Sequence, residues 1–600
     1  MTTPQNYSVD VAVYDATSGG VMAAVAAARH GASVLMICAS WPSCFQEGGF
    51  RIGGMSSGGL GETDIGSCGY QVGGLGREFY TANRNRYKTL VEEEEVEERL
   101  QSTGPSDANS CRLPRAGCNV TFNLEPHGAL EIFEKLVHDA GVKVLYGLQL
   151  ERVEREGRRI QRLHLTDGSA VAAMVFVEAG YEGDLIKRAG ASYAVGREAA
   201  SQYNESLGGR QARNAGHEFA RAVDPFDASG KLLPLVTALP ADGRPGDADD
   251  RVQAYNFRLC VTNRSSNRLP FARPDGYDAA RWELLRRSRS PQSVATPTAN
   301  MGAVPNGKYD ANNAGPISTD FVGGSSSYPE ASYAQRRALW TAHREYTEGL
   351  LYTLATDPEL PTRLDPRWGY CADEFNATGG FPPALYVRAA RRLRGDRVFT
   401  QNTPREQQMQ MQMQQEEEEE AAEAGGGDGI GALSIGIGCY NFDSHTAERV
   451  ACPSKAACFG AAPPDAPPGS AYAWNEGDVE TAPPTYQIPF WVAVPKAAEL
   501  SNLLTVSTPS ASHVGMSTLR MEPQFMVIGH SIGVAAAQAA ADGADVQALD
   551  MQKLHAALLE DGQILSTAGR TAGTAAGDAP RRRLAPAPGR VDALRHAGAT

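Results

Sequence analysis

Residues 15–20, DATSGG, are the part of this sequence best suited to bind a charged group. They join a short apolar run to an alanine-rich segment with a helical character. Small side chains let a ligand come close to backbone N–H groups, and the positive end of a helix dipole attracts an anion. The pyrophosphate of a dinucleotide is such an anion. The stretch therefore indicates a dinucleotide site, and an ordinary α/β turn without a ligand is the alternative.

The flanking elements must place this turn at the edge of a sheet. Val9, Val11 and Val13 alternate with other residues in the run before it, which is typical of a buried parallel strand. Small residues dominate from 19 to 30 and predict a helix that Gly31 ends. Residues 33–37, SVLMI, supply a second strand. Together these elements predict a βαβ unit.

The turn matches the dinucleotide-binding fingerprint only in part. A complete G-x-G-x-x-G would place glycines at positions 15, 17 and 20, where this chain has Asp15, Thr17 and Gly20. Near the end of the second strand, where an acidic residue normally binds the ribose, the chain has Cys38. A second glycine-dense stretch, 48–66, indicates another close backbone approach, with a flexible loop as the alternative.

Composition excludes several classes of protein. The formal net charge of the 600 residues is −14, and most of it comes from two glutamate runs at 92–98 and 416–423. The rest has no basic stripe, which argues against a nucleic-acid partner. No apolar run approaches the roughly 18 residues that span a bilayer, and no signal peptide precedes Ser8. We therefore expect a soluble, cytoplasmic protein with no membrane partner.

The cysteines predict neither a metal centre nor a disulfide framework. Ten of them are scattered along the chain without a C-x-x-C pair. This pattern argues against zinc, and in a chain of this size it also argues against disulfides. Most of the cysteines are therefore expected to be small buried hydrophobic residues or surface loop residues.

The later part of the chain is less periodic. Residues 201–490 are richer in Pro, Asn and aromatic residues and predict a second domain with long loops. Its clearest helix is predicted from Ser332 to Leu354. Residues 401–429 are of low complexity and are predicted not to bury enough surface to fold. Residues 566–600 have the composition of a disordered tail.

Several blocks resemble, in order, those of the FAD-dependent oxidoreductase family. The blocks are GGMSSGGLGETDIG (53–66), FNLEPH (122–127), YEGDL (181–185), YNFDSH (440–445), SASH (510–513) and RMEP (520–523). The resemblance extends from residue 8 to about residue 558. So many ordered blocks are far more specific than the turn alone.

The resemblance implies an α/β fold with a Rossmann-like, three-layer FAD-binding domain made of discontinuous segments and an inserted α+β substrate domain. Residues 1–200 and 491–560 would form the FAD-binding domain, and residues 201–490 the substrate domain. FAD is the implied cofactor. The implied activity is hydride transfer between a small organic substrate and flavin N5, so the expected partner is a small molecule.

The resemblance also assigns cofactor positions, which can be carried over residue by residue. From the pyrophosphate to the flavin end they are Thr17, Ser18, Gly19, Gly20, Gly53, Gly54, Met55, Ser56, Gly59, Ala179, Gly180, Ser510, Ser512 and Gly529. Ala179 and Gly180 are the two expected near the adenosine.

Four ionisable residues in these blocks are the catalytic candidates. His513 and Arg520 belong to the segment expected at the flavin end, where Arg520 could hold a carboxylate or stabilise the reduced flavin. His127 could instead simply start a helix, and His445 could bond to loop backbone. Glu522 could merely pair with Arg520.

Asp15 and Cys38 depart from the family pattern and leave two hypotheses open. A carboxylate at Asp15 facing the pyrophosphate from about 5 Å would cost on the order of 3 kcal/mol, whereas one that caps the helix or points away would not. The first hypothesis is an FAD-dependent oxidoreductase. The alternative is a degenerate relative that keeps the fold as a binding or scaffold protein with weak or no FAD.

Overall fold

The structure of the chain is a computed structural model. It describes residues 4–45, 50–65, 69–88, 111–114, 118–211, 217–239, 243–288, 301–360, 364–410, 433–454, 457–458, 463, 465–467 and 469–566. The glutamate run at 92–98, most of the low-complexity stretch and the tail from 567 onward lie outside these ranges. Among the described helices, none combines the length and the apolar character needed to cross a lipid bilayer.

The helices of the described ranges are distributed along the whole chain. They are α1 (Ser18–Arg29), α2 (Gly54–Gly58), α3 (Gly74–Arg86), α4 (Pro126–Asp139), α5 (Asp184–Ala189), α6 (Ala200–Tyr203), α7 (Glu283–Ser288), α8 (Tyr333–Thr356), α9 (His513–Leu519), α10 (Glu522–Asp542) and α11 (Met551–Glu560).

A seven-stranded sheet forms the centre of the molecule. Its strands are β1 (Asn6–Tyr14), β2 (Val34–Cys38), β3 (Lys143–Tyr146), β4 (Leu150–Glu156), β5 (Arg159–Leu165), β6 (Ala170–Glu178) and β21 (Leu503–Thr505). Their order is β3-β2-β1-β6-β5-β4, and β21 pairs with β6. β1 is parallel to β2 and β6, β2 to β3 and β6 to β21, whereas β5 is antiparallel to β4 and β6.

Both faces of β1 are buried, which makes three layers. Val11 and Val13 belong to the core that includes α1, while Ala12 and Tyr14 belong to the core on the opposite face with Leu185 of α5. An apolar strand with alternate residues facing two cores is what a parallel sheet covered on both sides requires. The predicted α/β fold class is confirmed. The division into domains stays a prediction.

Helices α1 and α10 pack closely through small residues. A Cβ on Gly529 would lie 2.1 Å from the Gly19 carbonyl oxygen, and one on Gly533 would lie 2.2 Å from the Ala23 carbonyl oxygen. Going four residues along α10, from Gly529 to Gly533, leads to contacts four residues further along α1, from Gly19 to Ala23, so the two helices run parallel. Any larger side chain at these positions would force the helices apart.

A second sheet lies in the middle part of the chain. Its five antiparallel strands, in the order β10-β13-β9-β12-β11, are β9 (Leu259–Thr262), β10 (Arg268–Leu269), β11 (Met301–Val304), β12 (Lys308–Ala311) and β13 (Gly369–Cys371). Helix α8 belongs to the same part of the chain. Ser332 and Gln335 form a capping box at the start of this helix. Trp340, His343 and Tyr346 of this helix are buried.

The remaining strands form small sheets. These are β7 (Tyr193–Ala194) with β14 (Arg392–Leu393), β15 (Ser434–Gly438) with β20 (Tyr486–Pro489), β16 (Phe442–Ser444) with β19 (Val479–Thr481), and β8 (Thr237–Ala238), β17 (Glu448–Cys452) and β18 (Tyr472–Glu476) together.

The expectation of no disulfides is wrong. Four are described, namely Cys38–Cys44, Cys111–Cys118, Cys260–Cys371 and Cys452–Cys458, and Cys439 is disulfide-bonded as well. Three of the four close loops between cysteines six or seven positions apart. These short local spacings are the signal that the search for C-x-x-C pairs missed.

The expectation for 401–429 is wrong at its beginning. Gln401 donates its backbone N–H to Glu205 (2.7 Å), the Asn402 amide donates to the Tyr203 carbonyl (3.1 Å), and Thr403 is buried. Residues 401–404 and Gln407 therefore contact the packed structure, whereas residues 408–410 are exposed and 411–429 fall outside the described ranges.

Candidate functional site

The first turn of α1 has the arrangement of an anion-binding site. Thr17 is the N-cap, because its hydroxyl accepts a hydrogen bond from the Gly20 N–H (3.1 Å) and donates one to the Ala179 carbonyl (2.8 Å). The N–H groups of Ser18 and Gly19 have no acceptor within the helix, since no turn precedes theirs. They are the groups that can receive anionic oxygens of a ligand.

The glycine-rich segment reaches α1 through its backbone. The Gly53 N–H donates to the Ala16 carbonyl (2.7 Å). Gly53 and Gly54 have φ angles of 99° and 56°, which favour glycine. A Cβ on Gly54 would lie 2.2 Å from the hydroxyl of Tyr181, and that hydroxyl accepts a hydrogen bond from the Met55 N–H (3.0 Å). The two motifs are thus joined where the sequence places the cofactor.

Two cavities open at this end of α1. Ala16, Thr17 and Gly54 line the first, together with Arg51, whose guanidinium donates to the Ser57 carbonyl (3.0 Å). A cation beside the N-terminus of a helix suits a pyrophosphate. The residues that line both cavities are Asp15, Ser40, Trp41, Glu182 and Tyr328. We call this pair of cavities the nucleotide end.

Asp15 occupies the position of the first fingerprint glycine with φ at 77°. Its carboxylate turns to the end of β2, where Oδ1 accepts the N–H groups of Ala39 (3.2 Å) and Ser40 (3.3 Å) and Oδ2 accepts the Ser40 hydroxyl. The residue is 3% exposed. Thr17 rather than Asp15 therefore caps α1, so the capping expectation is wrong, and the buried Asp15 carboxylate points to the end of β2 rather than into the first turn of the helix.

Carboxyl groups are concentrated at the nucleotide end. Burial raises the pKa of Asp15 and Glu178 and raises that of Glu182 to about 7. Asp184 differs, because the Arg336 guanidinium donates to both of its oxygens (2.7 and 3.0 Å). Burial would raise the pKa of Asp184 as well, but the arginine outweighs it and the pKa is lowered.

Helix α10 begins beyond the first turn of α1. Glu522 lies seven residues before Gly529, so it stands about 10 Å further along the common axis. Its carboxyl group accepts hydrogen bonds from the hydroxyls of Tyr181 (2.7 Å) and Ser56 (3.2 Å), and burial raises its pKa to about 7. Glu522 is therefore tied to the nucleotide end, and Arg520 is paired elsewhere.

Two of the four catalytic candidates meet at Asp443. An Arg520 nitrogen lies 3.0 Å from Asp443 Oδ2, and His445 Nε2 lies 3.4 Å from Asp443 Oδ1. On the other side of the ring, His445 Nδ1 lies 2.7 Å from Asp320 Oδ2. We call the whole group the Arg–His cluster, comprising Asp320, Tyr386, Arg388, Asp443, His445 and Arg520.

Tyr386 and Arg388 close the cluster. Arg520 donates to the Tyr386 hydroxyl (3.0 Å), and the Arg388 guanidinium lies 4.9 Å from the centre of the Tyr386 ring. Arg388 also lies 2.9 Å from Asp320 Oδ1. Since both arginines are 1% exposed, their charges are balanced inside the protein rather than by water.

The cluster reverses the effect of burial on its carboxyl groups. Burial would raise the pKa of Asp320, but Arg388 and His445 hold it well below its ordinary value. The pKa of Asp443 is lowered in the same way by His445 and Arg520. Burial and Arg388 would lower the pKa of His445, but the two carboxylates raise it above its ordinary value.

The other two candidates lie in separate ion-pair groups. His513 begins α9, two turns before Arg520, and its Nδ1 lies 3.3 Å from Glu198; burial lowers its pKa. His127 lies in the first turn of α4, where its Nδ1 is 2.6 Å from Glu374. The structure therefore does not bring these histidines to His445.

The surroundings of His127 resemble a metal site in residue type. Glu125, His127 and Glu374 present their ligand atoms close together. The Lys308 ammonium, however, lies 2.7 Å from Glu125 and 3.1 Å from Glu374. Lys308 already supplies the positive charge that a metal ion would bring.

Of the remaining cofactor candidates, Ala179 and Gly180 lie at the nucleotide end. The Ala179 carbonyl accepts the Thr17 hydroxyl, and the Gly180 N–H donates to Glu178 (2.7 Å) at the wall of the second cavity. Both residues follow β6 directly.

Three other candidates contact different segments. Ser510 donates to the Arg397 carbonyl (2.6 Å), and Ser512 caps α9. A Cβ on Gly59 would lie 2.5 Å from the Arg258 carbonyl oxygen. The assignment of these residues to the cofactor stays a prediction.

Sequence reasoning missed most of the Arg–His cluster and Arg51. Asp443 stands two positions before His445 in the same YNFDSH block, so the alternation of a short strand could have pointed to it. Tyr386 and Arg388 lie more than fifty residues upstream, where no local pattern marks them. Only the fold brings them to His445.

The family model described as FAD dependent oxidoreductase matches residues 10–558. The chain belongs to this family. FAD is the cofactor of this oxidoreductase. The residues at the nucleotide end fit it, because Thr17, the N-cap of α1, and Arg51 line the same cavity and the first turn of α1 follows directly. No curated protein matches the sequence.

Solved flavoproteins are similar to the oxidoreductase over about a third of its length. A flavin-containing monooxygenase from Stenotrophomonas maltophilia shares 15% identity over 32% of this chain and 43% of its own, with a TM-score of 0.18. OxyS anhydrotetracycline hydroxylase from Streptomyces rimosus shares 12% over 32% and 36%, with a TM-score of 0.19. The myxobacterial chondrochloren halogenase CndH shares 14% over 32% and 41%, with a TM-score of 0.20. The match thus spans less than half of each structure.

Proposed function

We propose that this oxidoreductase oxidises a small organic substrate at a carbon that carries a hydroxyl or amine group, with His445 accepting the proton of that group. When bound, FAD supplies the hydride acceptor at flavin N5. The substrate loses a hydride from carbon and a proton from oxygen or nitrogen, so the two-electron oxidation is balanced.

The protein's own residues would hold the charges of this reaction. His445 is fixed by Asp320 at Nδ1, which leaves Nε2, on the Asp443 side, to exchange a proton. Arg520 would hold a carboxylate or another anionic group of the substrate. The observation that carries the proposal is that His445 and Arg520 both contact Asp443. Arg520 stands two residues before α10, whose first residue, Glu522, is hydrogen-bonded to the nucleotide end.

The nucleotide end would hold FAD. Thr17, Ser18 and Gly19 would bind the pyrophosphate through the first turn of α1, and Arg51 lines the same cavity. Ser56 and Glu522 would lie further toward the flavin, because α10 extends in that direction.

The test is His445→Gln, which removes the exchangeable proton and keeps a polar side chain of similar size. FAD reduction should be followed by visible absorbance, without oxygen, after mixing with panels of small hydroxy acids, amino acids and alcohols. For any compound that reduces the wild type, we expect the variant to be about 10² to 10³ times slower, with unchanged FAD content. His138→Gln, at an exposed histidine of α4, is the control.

The pH profile tests the same role. His445 must be neutral to accept a proton, and its pKa is raised. The rate of FAD reduction should therefore increase with pH, with its midpoint above the ordinary histidine pKa of about 6.5. The variant should lose this dependence. A panel in which nothing reduces the wild-type flavin, or an unchanged rate in His445→Gln, would contradict the proposal.

The disulfides bear on where the protein works. Structural disulfides persist in oxidising compartments and are rare in the cytosol. We therefore favour an oxidising compartment over the cytoplasmic location expected from the sequence. Thiol labelling of the denatured protein, with and without reductant, tests whether the cysteines are oxidised in the native source.

The proposed partner remains a small molecule, with no nucleic acid and no membrane.

A further inference from the structure

We propose that Asp15 supplies the carboxylate that binds the adenosine ribose of FAD, in place of the acidic residue that dinucleotide-binding folds carry at the end of the second strand. This inference rests on FAD being the cofactor and not on the substrate chemistry proposed above. It gives the two departures from the family pattern a single explanation: the acidic residue missing near position 38 is replaced by the one gained at position 15.

The end of β2 has lost its usual ribose ligand. In a dinucleotide fold that acid accepts a hydrogen bond from a ribose hydroxyl. Here β2 ends at Cys38, which is disulfide-bonded to Cys44, and residues 39–45 contain no acidic side chain. Within the described residues, a carboxylate at this end of β2 therefore comes from another element.

Asp15 brings a carboxylate to this point from the neighbouring strand. Its Oδ1 lies 3.2 Å from the Ala39 nitrogen and 3.3 Å from the Ser40 nitrogen, so the group stands at the carboxyl end of β2 although the residue follows β1. Asp15 also lines both cavities of the nucleotide end. The carboxylate thus lies where the first cavity, at the α1 N-terminus, meets the second.

The carboxylate still has room for a ligand. Oδ1 accepts the N–H groups of Ala16, Ala39 and Ser40, whereas within the described residues Oδ2 accepts only the Ser40 hydroxyl. A carboxylate oxygen accepts about two hydrogen bonds, so Oδ2 can take one more. A ribose hydroxyl is a donor of the right kind, and a charged acceptor makes the bond strong.

A purely structural role would use the same contacts, since Oδ1 also fixes the loop after β2. The two roles separate in Asp15→Asn. An amide keeps an acceptor for the Oδ1 contacts but places an N–H₂ donor where Oδ2 was, and asparagine tolerates the left-handed conformation of this position. Asp15→Gly removes both sets of contacts and restores the glycine that the conformation favours.

The experiment compares two ligands on three proteins. Wild type, Asp15→Asn and Asp15→Gly, each freed of flavin, are titrated by flavin fluorescence with FAD and with the FAD analogue that lacks both hydroxyls of the adenosine ribose. Thermal unfolding of each flavin-free protein reports folding. FMN, which lacks the adenosine part, is the control ligand and should bind all three proteins equally.

We expect wild type to bind FAD about 10 to 100 times more tightly than the analogue, which is the range for a hydrogen bond to a charged group. Both variants should bind the two ligands with nearly equal affinity, and Asp15→Asn should unfold at the wild-type temperature. The inference is overturned if the FAD-to-analogue ratio is the same in all three proteins. Tighter FAD binding by Asp15→Gly, or no FAD binding by wild type, would overturn it as well.

Discussion

The nucleotide end and the Arg–His cluster both bury several carboxyl groups, yet they shift the pKa values in opposite directions. At the nucleotide end the pKa values of Asp15, Glu178 and Glu182 are raised. In the cluster those of Asp320 and Asp443 are lowered. Burial is common to both regions, so it does not decide the direction.

The difference lies in the cations. Arg388 lies 2.9 Å from Asp320 and Arg520 lies 3.0 Å from Asp443, whereas the described donors to the Asp15 carboxylate are backbone N–H groups and a hydroxyl. Asp184 confirms the reason, because it lies at the nucleotide end but contacts Arg336 and has a lowered pKa. In these two regions the buried acids with a lowered pKa are the ones that an arginine contacts, because the arginine compensates for their lost hydration.

The largest effect is expected from removing one of the two buried arginines that neutralise the carboxylates of the Arg–His cluster. Arg388→Met should leave Asp320 buried without its arginine and lower the free energy of unfolding by about 3 to 5 kcal/mol at pH 7, measured by urea denaturation. The loss should shrink at acidic pH, where Asp320 can take a proton.

The control for this prediction is an exposed pair. Lys135 and Asp139 lie 2.7 Å apart with side chains that are 75% and 49% exposed, so Lys135→Met should leave the free energy of unfolding nearly unchanged. Equal losses in the two variants would show that Arg388 does not compensate a buried charge.

An intermediate effect is expected at Glu522, whose pKa rises from an ordinary 4.5 to about 7 in the folded protein. The folded state then holds a proton that the unfolded state releases, so this group makes stability fall as pH rises from 4.5 to 7. Glu522→Gln removes that contribution. The difference in unfolding free energy between wild type and variant, both with FAD bound, should change by up to about 3 kcal/mol across the window.

Exposed Glu131, paired with Arg86 at the surface, provides the comparison for Glu522. Glu131→Gln should leave the pH dependence of wild type nearly unchanged. A flat difference between wild type and Glu522→Gln over the same window would mean that Glu522 is ionised in the folded protein.

The smallest expected effect concerns the cation of the nucleotide end. Arg51→Gln should weaken FAD binding about tenfold, because one charged hydrogen bond to the pyrophosphate is lost. Arg367→Gln, at a site whose side chain is 78% exposed, should not change the affinity in the same fluorescence titration. If Arg51→Gln bound FAD with the wild-type affinity, the pyrophosphate would lie away from Arg51.

Local patterns predicted the elements well. The valine alternation and the small-residue run gave the βαβ unit, which the structure has as β1, α1 and β2 with ends within a few residues. The helix predicted from Ser332 to Leu354 is α8, Tyr333–Thr356. Such elements are fixed by neighbours in sequence, through periodicity, capping and turn residues.

The candidate site was predictable only in part. The family blocks pointed to Arg520 and His445, and the structure brings these two together. The same blocks pointed to His127 and His513, which the structure places with Glu374 and Glu198. A block shows that a residue belongs to a region, but it does not show which side chain the residue meets.

The fold class, the strand, turn and helix near the start of the chain, and the family could all be predicted from the amino-acid sequence. The direction of Asp15 toward β2, the pairing of Arg520 with Asp443 rather than Glu522, and the contact of Cys260 with Cys371 depend on the tertiary fold. Each of these contacts joins residues far apart in the chain. Periodicity and turn chemistry act over a few residues, whereas the direction of a buried charge depends on which distant cation or N–H group the packing brings beside it.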